Sequence, residues 1–304
     1  MNTPRLLLLA LMLFLISCGE KKKPKVDVKP TFKSVWGIRY TEVKRRLANG
    51  LSFDSYGFQQ EPSWRLRFAN DDSVHIYSPE HDRFYYFPLT FDHDSAVNMA
   101  RTWLRVKKVT KDSLVFLVMK VEDKTIYLNA AKLYMTFYAD DYINNKLKTT
   151  AEMLKRPSKA DTAYIRKMAQ YVNTHPDTAF AARQPVVIKS RAPNVTVEKV
   201  QVKAEAINHV ELSDAYMSPE YNIIINKAYD DFNYSFTVLV NDKGVMQFGQ
   251  SMVFLGEDFK EDHLRVMKGI MNGYLKVLLT IKPGTTLGIP HTSAVILNVK
   301  GLKE

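Results

Sequence analysis

A lone thiol, a few histidine-bearing clusters and a recurrent acidic triplet are the side chains here that could do chemistry. Cys18 is the only cysteine among 304 residues, so the chain cannot close a disulfide on itself. Asp92-His93-Asp94 gathers three metal-capable groups. Adjacent residues on a strand point to opposite faces, however, and no metal site is expected there. His263 reads as a helix-face residue partly buried against a sheet. His291-Thr292-Ser293 sets a base beside hydroxyls, but sequence neighbours rarely meet in nucleophile–base geometry, and no Gly-x-Ser-x-Gly elbow occurs anywhere. The carboxylate pairs Asp230-Asp231 and Glu257-Asp258 read as turn and surface groups rather than as a general acid and base. No catalytic constellation and no cofactor motif results, which points away from an enzyme.

The triplet Asp, then Ser or Thr, then an aliphatic residue occurs at Asp72-Ser73-Val74, Asp94-Ser95-Ala96, Asp112-Ser113-Leu114, Asp161-Thr162-Ala163 and Asp177-Thr178-Ala179. Average composition would give about one. One reading is local: Asp and Ser start turns and cap helices ahead of apolar runs. The other is a resemblance to the O-glycosylation acceptor used by some gram-negative bacteria on exported proteins. That resemblance implies attachment at Ser73, Ser95, Ser113, Thr162 and Thr178.

Residues 6–16 are an unbroken apolar run behind Arg5, followed by small Ser17. A basic start, a short apolar middle and a small residue before the cut make a secretory signal. Eleven residues fall short of the roughly 20 needed to span a bilayer. Leu15-Ile16-Ser17-Cys18 resembles the lipobox of bacterial lipoproteins. The resemblance implies a diacylglyceryl group on the Cys18 thiol, cleavage between Ser17 and Cys18, and acylation of the new amine. Two or three acyl chains anchor stably where one is marginal. In enterobacterial lipoproteins an Asp after the cysteine favours the inner membrane. Here that position is Gly19, which by the same resemblance favours the outer membrane. The lipid bilayer is thus one expected partner, reached through the acyl chains on Cys18.

After residues 1–17, residues 18–32 are expected to be a tether. Lys21, Lys22, Lys23, Lys25 and Lys29, with Pro24 and Pro30, leave too little apolar surface for a core. As a coil this tether spans about 20 Å, and fully stretched roughly 45 Å. It carries part of the net charge of +11. Behind an export signal, that charge favours an anionic lipid or polysaccharide surface over nucleic acid.

The rest predicts an α+β chain. Residues 33–139 are mostly of period two, with strands expected at 64–68, 74–77, 84–87, 103–109, 125–128 and 133–138, a denser apolar run suited to a central strand at 114–121, and polar turns between. This argues an antiparallel sandwich or barrel-like region. Residues 103–121 look loosely like the later strands of lipocalin-like lipoproteins, which implies an apolar ligand in the mouth of a barrel. Residues 140–193 read as a helical connector: one helix capped at Asp140-Asp141 and running toward Arg156, and another capped by Asp161.

Residues 194–304 form a second α+β domain. Strands are expected at 195–197, 200–202, 221–225 and 234–240. A hairpin follows at Asn241-Asp242-Lys243-Gly244, then a return strand at 245–255. Phe259, His263, Val266, Met267, Ile270, Tyr274, Val277 and Leu278 line one face of a long helix laid on the antiparallel sheet. A last strand is expected at 294–299. Residues 234–300, with Asn241-Asp242-Lys243-Gly244 before the helix and Pro283-Gly284 and Gly288-Ile289-Pro290 after it, resemble the C-terminal domain of TonB-type energy transducers. What that implies is a sheet edge able to pair with a partner strand.

The sequence therefore predicts an outer-membrane lipoprotein that is a non-enzymatic binding or scaffolding module for an envelope protein partner. The alternatives are a lipocalin-like carrier of a small apolar ligand and an envelope-polymer hydrolase.

Overall fold

The computed structural model describes residues 29–122, 125–127, 132–203, 212–254 and 256–303. Ser17, Cys18, the expected signal segment and most of the expected tether lie outside the described residues.

The N-terminal region is a nine-stranded sheet. Its strands are β1 (Arg39–Leu47), β2 (Arg65–Asn70), β3 (Ser73–Ser78), β4 (Arg83–Pro88), β5 (Thr90–Phe91), β6 (Ala96–Met99), β7 (Thr102–Val109) and β8 (Ser113–Val118). A small hairpin of β9 (Lys120–Glu122) and β10 (Thr125–Tyr127) leads into the ninth strand, β11 (Leu133–Ala139). The order is β4-β3-β2-β1-β11-β8-β7-β6-β5, antiparallel throughout. The two outermost strands, β4 and β5, are separated only by Leu89. The sheet thus curls into a nearly closed barrel. The period-two pattern explains the inside: Leu66, Phe68, Val74, Ile76, Leu114, Phe116, Met135 and Phe137 all bury inward. Phe116 and Phe137 meet edge to face at 5.7 Å.

A short 3-10 turn, Lys33–Val35, closes one end. Phe32 stacks on Phe68 at 3.9 Å. Asp71 accepts from Phe32 N (2.7 Å), the Thr31 hydroxyl (2.8 Å) and Trp36 Nε1 (3.3 Å). Burying one Phe is worth about 1.5–3 kcal/mol, so the folded unit takes in residues 31 and 32, which the sequence assigned to the tether.

Hydrophobic periodicity does not mark β1, because Glu42, Lys44, Arg45 and Arg46 break the apolar rhythm. Glu42 is fully buried. It is held by a bidentate pair with Arg45 (both bonds 2.8 Å) and by the amides of Ser63 and Trp64 (2.9 and 3.0 Å). A bulge between Glu42 and Lys44 shifts the register with β11.

The connector differs from expectation. The helix expected toward Arg156 breaks into a wide turn, Tyr142–Lys146, and then α1 (Ala151–Lys155), with Lys148 at φ 51 between them. Thr150, not Asp141, caps α1. α2 (Lys159–Thr174) is capped by Ser158, while Asp161 sits three residues in and completes a capping box. The fully buried Asp161 carboxylate also accepts from Ser52 N (2.7 Å) and Arg46 (2.9 Å). Burial opposes its charge, but those bonds and Ser158 outweigh it and hold the group at about 2, against 3.8 ordinarily. α2 is therefore bolted to the barrel rather than spanning a gap.

The C-terminal region contains β12 (Val187–Ser190), β13 (Val195–Lys199), α3 (Asp214–Met217), β14 (Glu220–Asn226), β15 (Phe232–Val240), β16 (Met246–Ser251), α4 (Glu257–Ile270), β17 (Leu279–Lys282), β18 (Thr285–Thr286), β19 (Ile289–Pro290) and β20 (Ser293–Leu302). The main sheet runs β13-β14-β20-β15-β16. Its neighbours are antiparallel except β14 and β20, which are parallel. β12 pairs with β17, so residues 187–190 belong here and not to the connector. The strand expected at 200–202 does not form, and β16 ends at Ser251 instead of running on to 255.

α4 packs Met267 and Ile270 on the sheet and continues through a wide π-type turn, Met271–Leu275. That turn changes the helical phase. Met271 and Leu275 take the buried positions, while Val277 is 62% exposed. Phe259, in the first turn of α4, is also exposed.

Candidate partner-binding edge at β16

β16 ends the main sheet, so its outer edge has no strand partner among the described residues. The hairpin that delivers it is set by Asn241, whose Oδ1 accepts from Lys243 N (3.0 Å) and Val245 N (2.9 Å). Gly244 closes the turn at φ +77, and a Cβ there would lie 2.6 Å from the Ile281 carbonyl.

Farther along, the β15–β16 register jumps between Val238↔Phe248 and Phe236↔Ser251. Thr237 Oγ1 fills the gap by accepting from Gln250 N (2.9 Å). The close approach needs Gly249, whose added Cβ would sit 2.4 Å from that oxygen. Beyond the bulge, Met252, Val253 and Phe254 project into solvent, Phe254 at 98% exposure.

A groove of ≈ 550 Å3 lies between this edge and α4, lined by Phe248, Gly249, Gln250, Ser251, Val253, Phe254, Lys260, Leu264 and Lys268. The helix contributes positions four apart, which share one face. The lysines flank Leu264, and Lys268 sits 5.7 Å from the Phe248 ring centroid. The site thus has a free strand edge, an apolar floor and a positive border. Chemically it can bind an extended chain, and it presents no acid–base pair.

The side chains singled out by type and spacing fall elsewhere. Cys18 and Ser17 lie outside the described residues. Ser73 and Ser113 are buried and bonded to Asn70 and Thr110; Ser95 and Thr162 are half-buried; Thr178 is exposed and donates to His175 O (2.8 Å). All five triplets sit at a strand turn, in the first turn of a helix, or in a 3-10 turn. A glycan on Ser73 or Ser113 would have to be added before the strands pair.

Asp92 bonds His93 (2.9 Å) and Asp94 faces Arg105 (3.7 Å). Among the described residues, no three His, Cys, Asp or Glu side chains converge on a metal position. His263 lies half-buried on α4, edge-on to Tyr234 at 6.1 Å. Asp231 accepts from Lys303 N (2.8 Å).

His291 is fully buried. Its Nδ1–H donates to Thr292 O (3.1 Å), leaving Nε2 to accept from the Thr286 hydroxyl (2.9 Å). Ser293 Oγ has no hydrogen-bond partner among the described residues, so the imidazole is bonded to Thr286 and not to the neighbouring serine. Burial lowers His291 to about 4. The groove residues Phe248, Val253 and Phe254 escape sequence reasoning, because the apolar run at 252–254 looks like the continuation of a strand.

No family model matches the chain, and no curated protein matches it. Among solved structures it is similar to the siderocalin Ex-FABP, described as functioning through dual ligand specificities. The identity is 14% over 46% of this chain and 83% of that one, with a TM-score of 0.21, too low to carry an argument.

Proposed function

We propose that the protein is a lipid-anchored envelope lipoprotein whose folded part is a non-enzymatic binding or scaffolding module, and that β16 receives an extended segment of an envelope partner protein. The observation that carries this reading is the β16 edge, without a strand partner among the described residues, beside the apolar groove under Phe254. Strand addition takes affinity from main-chain bonds and specificity from alternate side chains. With Leu264 and Lys268 on the helix side, the residues of the fitting segment that face α4 are apolar, with an acidic one beside Lys268. The anchor is Cys18, acylated and seated in the outer membrane. A photo-crosslinker replacing Gln250 is expected to trap an envelope protein in intact cells; recovery of monomer alone ends the partner reading. Cys18→Ser is expected to move the protein to the soluble fraction, and retention in the membrane pellet refutes the anchor.

A second reading, a carrier of a small apolar ligand, draws support from the nearly closed barrel-like sheet. Native mass spectrometry of protein taken from its own membrane tests it: a retained small molecule supports it, and apo-mass alone opposes it.

A further inference from the structure

The outward face of β1–β4 carries cations and rings in register. One row crosses Arg39, Arg67, His75 and Tyr86, each opposite the next on neighbouring strands. A second holds Arg65 over the Tyr77 ring at 4.6 Å, with Tyr77 opposite Phe84 and their centroids 5.4 Å apart. Inward neighbours Leu66, Phe68, Val74 and Ile76 are core, so these residues form the opposite face.

Arg39 and Arg67 stand side by side, a like-charge cross-strand pair that destabilises a sheet. Arg39 has Asp140 at 3.8 Å. Among the described residues neither Arg65 nor Arg67 has a carboxylate within salt-bridge distance; Arg67 instead donates to His75 Nδ1 (3.1 Å). Tyr86 is 63% exposed.

We infer that this face binds an anionic polysaccharide, its acid groups bridging the paired guanidiniums and a sugar ring lying on Tyr86. Guanidiniums take carboxylate, sulfate or phosphate in bidentate fashion. A row over four strands spans about 14 Å, enough for several sugar rings. Choosing a glycan over single-stranded nucleic acid, which also stacks on rings beside cations, rests on the envelope address proposed above.

The test uses the full chain and titrates polygalacturonate oligosaccharide, neutral dextran and a dT20 oligonucleotide. Salt-sensitive binding of polygalacturonate but not dextran is expected. Arg65→Ala with Arg67→Ala should weaken it at least tenfold, and Tyr86→Ala, at an exposed position that leaves folding intact, at least threefold. Replacing Lys21, Lys22, Lys23 and Lys25 by Ala should change it less than twofold. Unaltered binding in the face variants, equal loss in the tether variant, or tighter binding of dT20 overturns the inference. The address itself is tested separately by fractionating Cys18→Ser.

Discussion

His291 lies face to face with Phe180, ring centroids 3.8 Å apart and planes 13° from parallel. Phe180 belongs to a small cluster with Phe53 from the barrel side and Ile165 and Val172 of α2, with Leu287 and Ile289 packed against it. Thr292, next to His291, is fixed by Asn173 of α2, whose Oδ1 accepts from both its amide and its hydroxyl at 2.9 Å. The imidazole is thus a wedge between α2 and the C-terminal region.

That wedge makes stability acid-sensitive. The unfolded ring titrates near 6.5 and the folded ring at about 4 because burial disfavours the cation. The contribution is complete above pH 6.5 and is lost as pH falls to 4, a span worth roughly 3 kcal/mol. Urea unfolding from pH 7 to 4 should show this fall in wild type and a flatter profile in His291→Gln. Parallel profiles would remove His291 as the cause.

Asp161 governs the next acid step. Its depressed carboxyl adds stability above about 3.8 that disappears as pH drops toward 2. Asp161→Asn leaves Arg46 without its counter-charge and weakens the bonds from Ser52 and Ser158, at an expected cost of about 3–5 kcal/mol at pH 7. Denaturant midpoints measure it; a loss under 1 kcal/mol contradicts the bolt between α2 and β1.

Gly249→Ala should cost about 1–3 kcal/mol, since the new methyl overlaps Thr237 Oγ1. Adding Thr237→Ala should restore part of that loss. A double variant no more stable than the single one shows that the strain lies elsewhere.

Phe254→Ala removes a ring that contacts water, so thermal stability should not change. Crosslinking to the partner through position 250 should drop at least tenfold, about 1.4 kcal/mol of binding. Undiminished crosslinking excludes Phe254 from the interface.

If the acidic triplets are modified after folding, Thr178 is the position a transferase can reach most readily. Intact mass and peptide mapping of the mature protein decide. A mass equal to the polypeptide, with or without the acyl chains proposed on Cys18, eliminates glycosylation.

The barrel strands are legible in the sequence where one face meets the core, as in Leu66/Phe68 against Arg65/Arg67, because a half-buried strand must alternate. β1 is not, since Glu42 is buried by pairing with Arg45, and a spatial partner three residues away leaves no hydrophobic signature. The start of α2 is legible, but the sequence puts the cap at Asp161 where the structure puts it at Ser158: both residue types cap, and only the chain geometry says which enters the first turn. The long helix is legible, yet the π-type turn at Met271–Leu275 breaks a face that assumes one constant period. The β16 edge is implied by resemblance alone, and the Arg39/Arg67 pairing needs the register.

β20 comes after every other strand in the sequence, yet it lies in the middle of its sheet, between β14 and β15. During synthesis, β14 emerges with one side unfilled and waits more than sixty residues for its neighbour. The centre of this sheet therefore rests on pairings between residues far apart in sequence, which close later than hairpin pairings do.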